Sequence, residues 1–185
     1  MLGDRKREQG MSTKDSFTPQ WFEGALPKRS YRSAFKWGAP VAYKHPYPRL
    51  YALMKDVFDL DDDYFREPQK LGLEEVTADV PVSMAAEHAA FFRELLGEEN
   101  VTDEVYARVR VSYGKTMFDA LRLRNHEVEN LPDLVLHPRD RSDVEKIVRY
   151  CHDNEIPLYT YGAGSSVTRG TECIKGGVSI HLGTH

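Results

Sequence analysis

The sequence predicts an α+β fold in two successive parts, and three observations carry that expectation. Apolar residues recur at helical spacing through much of the first 125 residues. After Leu131-Pro132 the pattern changes to short apolar runs separated by a single capped helix. A glycine-rich turn, Tyr159 to Gly170, follows the second of those runs. The division expected is a mobile tail over 1–18, a mainly helical extension over 19–100, and the beginning of a binding domain over 101–185.

Residues 1–18 are polar, mixed in charge and without periodicity, the composition of a segment that cannot bury a core. Basic residues at the start are not followed by an apolar stretch, so the segment does not read as a secretory signal. Trp21-Phe22 leads into a basic, aromatic arm, Lys28 to Gly38. Interleaved arginines and aromatics can stack on nucleic acid. The other reading is an extended arm lying on its own protein or on a twin subunit. A net charge of -4 favours the second, with Tyr31, Phe35 and Trp37 packed on protein and a homodimer through the extension as a possible assembly.

Pro48 suits the first turn of a helix, and Leu50, Leu53, Met54 and Val57 then mark one face. The acidic run Asp59 to Asp63 resembles half of a calcium loop. Its sixth position is Tyr64 rather than Gly and its twelfth Lys70 rather than Glu, so it reads as a solvated turn and not as a metal site. Ser83 is positioned to cap a helix carrying Ala85, Ala89, Phe92 and Leu96; His88 on that helix has no partner at ligand spacing. Thr102 is positioned to cap a helix with Val105 and Val109, and a further helix is expected over Lys115 to Arg124 with Phe118 and Leu121 as its apolar face. No catalytic constellation is found in this half.

Leu134-Val135-Leu136 reads as a buried strand. Ser142 and Glu145 fit a capping box, and Val144, Ile147, Val148 and Cys151 follow on one face up to Asn154, which can end the helix. Cys151 reads as a small core residue. Strands are then expected over Ile156 to Thr160 and Val178 to Leu182. The order β-α-β-loop-β makes the helix a crossover between parallel strands. Cys151 and Cys173 do not form a disulfide framework, and with no apolar run of about 18 residues for a membrane span, a reducing cytoplasm is the simplest location.

The loop Tyr159-Thr-Tyr-Gly-Ala-Gly-Ser-Ser-Val-Thr-Arg-Gly170 places three glycines and four Ser/Thr hydroxyls in twelve positions, a composition that lets successive N–H groups form a concave nest for phosphate. It is neither common phosphate loop. A dinucleotide fingerprint would need glycine at Val167 followed by an amphipathic helix, and a P-loop would need Lys after Gly170, where the chain has Thr171.

Taken together, Pro132-Asp133-x-Val135-x-x-Pro138, the capped helix, Ile156-Pro157 and Gly162-Ala-Gly-Ser-Ser166 resemble the first FAD-binding lobe of the FAD-linked oxidases, the vanillyl-alcohol oxidase or PCMH-type superfamily. Within it, Arg108-Val109, Gly114, Leu121, Arg124 and Pro132-Asp133 are spaced as in the alkyldihydroxyacetonephosphate synthase group. The resemblance implies that Tyr161, Gly162, Ala163, Gly164, Ser165, Ser166, Val167 and Gly170 hold FAD, chiefly by main-chain N–H groups on its diphosphate. It implies either exchange of an acyl for an alkyl chain without net redox, or hydride transfer from a 2-hydroxy acid such as D-lactate or glycolate. A third option is a non-enzymatic interaction module. The chain departs from the pattern at Tyr113, usually His, and at Ala163, usually Gly. Ser165 stands where some relatives attach flavin through histidine, which implies non-covalent binding. The remaining lobes of such a protein are not encoded in these 185 residues, so the chain reads as an amino-terminal fragment. Expected of it alone are weak or absent flavin, no turnover, and self-association through an open strand edge after Val178.

Overall fold

The computed structural model describes residues 27–35, 48–66, 70 and 72–183. Trp21, Phe22 and Trp37 lie outside them. The described residues fall into two compact units, 48–66 in one and the rest in the other.

The smaller unit contains helices α2, Pro48–Phe58, and α3, Asp62–Arg66. Pro48 opens α2 as expected. The acidic run is not a plain solvated turn: Asp62 and Asp63 occupy the first turn of α3, where negative charge suits the helix dipole. The Asp62 carboxylate accepts from the Tyr51 hydroxyl at 2.7 Å and from Lys55 Nζ at 2.6 Å, tying the two helices together.

The larger unit begins with α1, Tyr31–Phe35. This part of the expected extended arm is a short helix. Tyr31 is buried, stacks on His126 with ring centroids 4.3 Å apart, and donates its hydroxyl to the Thr77 carbonyl at 2.5 Å. Then come α4, Ala86–Leu96; a 3-10 turn, Glu98–Asn100; β1, Val101–Thr102; α5, Val105–Ser112; α6, Met117–Arg124; β2, Leu134–Leu136; α7, Arg141–Asp153; β3, Leu158–Tyr161; and β4, Val178–His181.

The sheet order is β1-β2-β4-β3. β4 is parallel to both β2 and β3, and β1 is antiparallel to β2. The crossover through α7 is therefore as expected, with β4 inserted between the two strands that α7 joins. This corrects one expectation: β4 is central, and the edges are β1 and β3. Phe92 and Leu96 of α4 and Ile147 and Cys151 of α7 share a core with Leu134, Leu136, Val178 and Ile180 of the sheet. A second cluster joins Tyr31, Val76, Val109, Tyr113, Leu123 and Leu131.

Three caps differ from the sequence reading, each because a stronger acceptor stands nearby. Ser83 does not cap α4, whose N-cap is Ala85 without a side-chain bond. The Ser83 N–H and hydroxyl instead donate to Asp133 Oδ1 at 2.6 and 3.1 Å. Thr102 is in β1, and the cap of α5 is Glu104, whose carboxylate accepts from the N–H groups of Tyr106 and Ala107. Ser142 lies inside α7, capped by Asp140 accepting from Asp143 N–H at 2.9 Å. On α6, Ala120 and Leu123 face inward, while Phe118 and Leu121 are exposed. His88 Nδ1 is hydrogen-bonded to the Tyr150 hydroxyl at 2.9 Å.

Candidate functional site

In a sheet with parallel strands, crevices open beyond the carboxyl ends of those strands. Here those ends carry His137 just after β2, Tyr161 closing β3 and His181 closing β4, with the glycine loop continuing from Tyr161. Tyr161 and His181 stack with centroids 5.1 Å apart, and His137 meets His181 edge-on at 5.0 Å.

The loop's backbone is set by two glycines with different reasons. Gly164 has φ +66° and is buried, and the space a Cβ would need is occupied by the Tyr161 hydroxyl. Gly162 is exposed, with no atom within 4 Å of a Cβ position, so its main chain is open to approach. Ala163, Ser165, Val167 and Gly170 are exposed and Ser166 is half-buried. Among the described residues, no carbonyl or side chain accepts from the N–H groups of Gly164, Ser165, Ser166 or Val167. Four consecutive main-chain donors are thus left open in a loop with one left-handed residue, Gly164.

A third glycine, missed as a loop component by sequence reading, fixes the loop in space. Gly114, between α5 and α6, lies so close to the Ser166 carbonyl that a Cβ would collide with it. The next residue, Lys115, donates its N–H to that same carbonyl at 2.7 Å. Arg169, the loop's own cation, pairs with the buried carboxylate of Glu172 at 2.5 Å and has φ +63°. Glu172 also accepts from Arg122 Nη2 at 3.1 Å and Asn130 Nδ2 at 2.8 Å. Tyr113 lies under Arg122, with the guanidinium 5.1 Å from the ring centroid, and its hydroxyl accepts from Glu129 N–H at 3.1 Å.

The electrostatics are dominated by burial. Burial, with smaller contributions from His137 and Arg110, holds the His181 imidazole down to about 4, and its Nδ1 has no partner among the described residues. Burial and then the positive Arg110 bring the Lys115 ammonium down to about 8, outweighing Asp119, which favours the charge. Burial raises the Tyr161 phenol, while Arg110 works against it. Sequence reasoning missed Arg110, Lys115, Asp119 and His181, since none belongs to a motif; the spacing of Gly114 was the available signal. Among the described residues no group of three His, Cys, Asp or Glu is placed to hold a metal ion, and no helix is long and apolar enough to cross a membrane.

Comparison with known proteins bears on this site directly. A family model described as "FAD binding domain" matches residues 132–185, the stretch from the start of β2 through the loop and β4. Alkyldihydroxyacetonephosphate synthase from Dictyostelium discoideum is 27% identical over 144 residues, 74% of this chain and 23% of that protein. A solved structure of an alkyldihydroxyacetonephosphate synthase superposes with a TM-score of 0.54 at 26% identity, over 57% of this chain and 20% of its own. Over residues 132–185 the chain is similar to the FAD binding domain of the FAD-linked oxidases. Mitochondrial D-lactate dehydrogenase [cytochrome] from Arabidopsis thaliana is 37% identical over a shorter stretch of 57 residues, 31% of this chain and 10% of that protein. The chain thus spans less than a quarter of the length of these relatives. The glycine loop, Tyr161 and His181 fall inside the matched FAD binding domain, and α5, α6 and Gly114 fall before it.

Proposed function

We propose that this chain is the part of an alkyldihydroxyacetonephosphate synthase-like flavoenzyme that grips the diphosphate of FAD. The observation that carries the reading is the run of four unpartnered N–H groups, Gly164 to Val167, at the carboxyl end of a parallel strand within the FAD binding domain match. The residues suit a flavin dinucleotide: Gly162 leaves its main chain open, Gly164 supplies the left-handed turn, and Ser165 and Ser166 add hydroxyl donors beside the nest. Tyr161 packs its hydroxyl against Gly164, and Ala163, Val167 and Gly170 complete the exposed loop that would face the ligand. Bound flavin would supply a redox-active, electrophilic ring; the share of this chain is to hold and orient the dinucleotide.

The synthase type is favoured over a 2-hydroxy-acid dehydrogenase by the extent of similarity. The synthase match takes in 144 residues, more than the FAD binding domain alone, whereas the D-lactate dehydrogenase match spans 57. As far as this segment goes, non-covalent attachment is supported by Ser165, which stands where a flavin-linking histidine would be.

The test is a titration of the purified chain with FAD, FMN and riboflavin, read by flavin fluorescence anisotropy. FAD is expected to bind weakly but measurably, ahead of FMN and riboflavin, because only FAD carries a diphosphate. Equal affinity for all three would remove the diphosphate assignment. Joint expression with the remainder of a synthase, followed by assays for alkyl exchange and for D-lactate oxidation, separates the two reaction types.

A further inference from the structure

The glycine loop offers hydrogen bonds to an anion, but its own arginine is engaged elsewhere: Arg169 is held by Glu172. A diphosphate ester also needs countercharge, and two cations from outside the FAD binding domain match stand at the loop. Arg110 is exposed on α5 between Ala107 and Val111, which pack with Tyr161, so its charge acts on the Tyr161 hydroxyl that lies against Gly164. Lys115 follows Gly114, and its N–H is bonded to the Ser166 carbonyl, so the residue is fixed to the loop by its backbone. We infer that Arg110 and Lys115 form the cationic wall of the diphosphate subsite. The inference rests on the proposed flavin reading and adds to it residues that lie before the matched domain.

The surroundings of Lys115 support a charge waiting for an anion. From α1, the Ala34 carbonyl lies 3.4 Å from Nζ and the Phe35 ring 5.2 Å away. From α5 comes the like charge of Arg110, and from α6 the carboxylate of Asp119. Asp119 is itself engaged with Arg122 at 3.7 Å, and burial and Arg110 together outweigh it. Lys115, desolvated by burial, also feels the like charge of the exposed Arg110; a diphosphate bound near both relieves that repulsion and is held more tightly for it. Ligand binding should therefore raise the Lys115 titration from its value of about 8 in the free chain.

The test uses the full chain, with inorganic pyrophosphate, FAD and riboflavin as probes, and follows amide signals of Gly164 to Val167 and the Lys115 side-chain signal by NMR. Pyrophosphate is expected to shift the loop amides and to raise the Lys115 titration. Arg110→Gln and Lys115→Gln should each weaken pyrophosphate and FAD by roughly tenfold, the value of one charge-assisted contact. Each should also flatten the dependence of affinity on salt and leave riboflavin unaffected. Arg110→Gln should raise the Lys115 titration in the free chain, a change that a purely structural role would not produce. If loop amides respond to pyrophosphate equally in all three proteins, the cationic wall is wrong and the loop assignment stands. If no loop amide responds to pyrophosphate or FAD in the unaltered chain, both fail together. Unfolding midpoints of the variants, measured alongside, distinguish lost charge from lost structure.

Discussion

Asp133 and Gly177 hold each other twice: Asp133 N–H donates to the Gly177 carbonyl at 2.6 Å, and Gly177 N–H donates to Asp133 Oδ2 at 2.7 Å. The other carboxylate oxygen takes Ser83, so one buried side chain joins the start of β2, the turn before β4 and the segment leading to α4. Arg108 reinforces the same junction, donating to the carbonyls of Pro132 at 2.7 Å and Val80 at 2.9 Å. Replacing Asp133 with Ala leaves the buried Gly177 N–H unpaired and releases Ser83, and should cost about 1–3 kcal/mol of folding stability. Asp133→Asn, which keeps one acceptor, should lose less. Chemical denaturation of the two variants checks the order; equal losses would mean that side-chain volume rather than hydrogen bonding is what matters.

The two loop glycines should respond differently to the same added methyl group. Gly164→Ala meets both a positive φ and the Tyr161 hydroxyl and should destabilise by about 1–3 kcal/mol. Adding Tyr161→Phe removes the obstructing oxygen and should return part of that loss. Gly162→Ala meets open space and should leave the unfolding midpoint almost unchanged while weakening FAD. A Gly162→Ala protein with undiminished FAD affinity would show that the ligand does not approach that main chain.

Acid sensitivity should centre on Glu172. Burial alone would raise its titration, but hydrogen bonds from Asn130 and Arg122 outweigh that and hold it below its ordinary 4.5. A carboxyl depressed in the folded state contributes stability that is complete above its unfolded value and is lost as pH falls through the folded value. Stability should therefore decline below about pH 4.5, and Glu172→Gln should flatten that decline while lowering stability at neutral pH. A pH profile of unfolding free energy, unchanged in slope by the substitution, would assign the acid sensitivity to other carboxyls such as Asp143, which Arg139 also holds low.

Both thiols should be inert in the folded chain. Burial pushes Cys151 up to about 11 and Cys173 up to about 12, leaving almost no thiolate at neutral pH. A colourimetric disulfide reagent should label neither until denaturant is added. Prompt labelling of Cys173 would mean that the segment after the glycine loop opens readily.

The sheet, the crossover helix and the loop were legible because each rests on short-range pattern: Leu134 to Leu136, Val178 to His181 and the capped α7 are all within a few residues of their predicted limits. What escaped was set by partners distant in sequence. Ser83 has the chemistry of a cap, but a carboxylate 50 residues away takes it. Phe118 and Leu121 are apolar at helical spacing, yet the inward face of α6 belongs to Ala120 and Leu123 because that side meets α1. In the site, the loop glycines announced themselves, but Arg110 and Lys115 are ordinary charged residues on ordinary elements. Only the fold shows that the junction of α5 and α6 abuts the Ser166 carbonyl.

The position of β4 in the sheet bears on the order of assembly during synthesis. β2 and β3 leave the ribosome first, joined by α7, yet they do not pair with one another; each pairs with β4, which emerges last. Until then α7 can bury Ile147 and Cys151 only against Phe92, Leu96, Leu134 and Leu136, without Val178 and Ile180 of the central strand. Closure of the core is thus deferred to the final strand, a non-local step that pays its loop-closure entropy late and keeps the nascent chain dependent on residues it has not yet received.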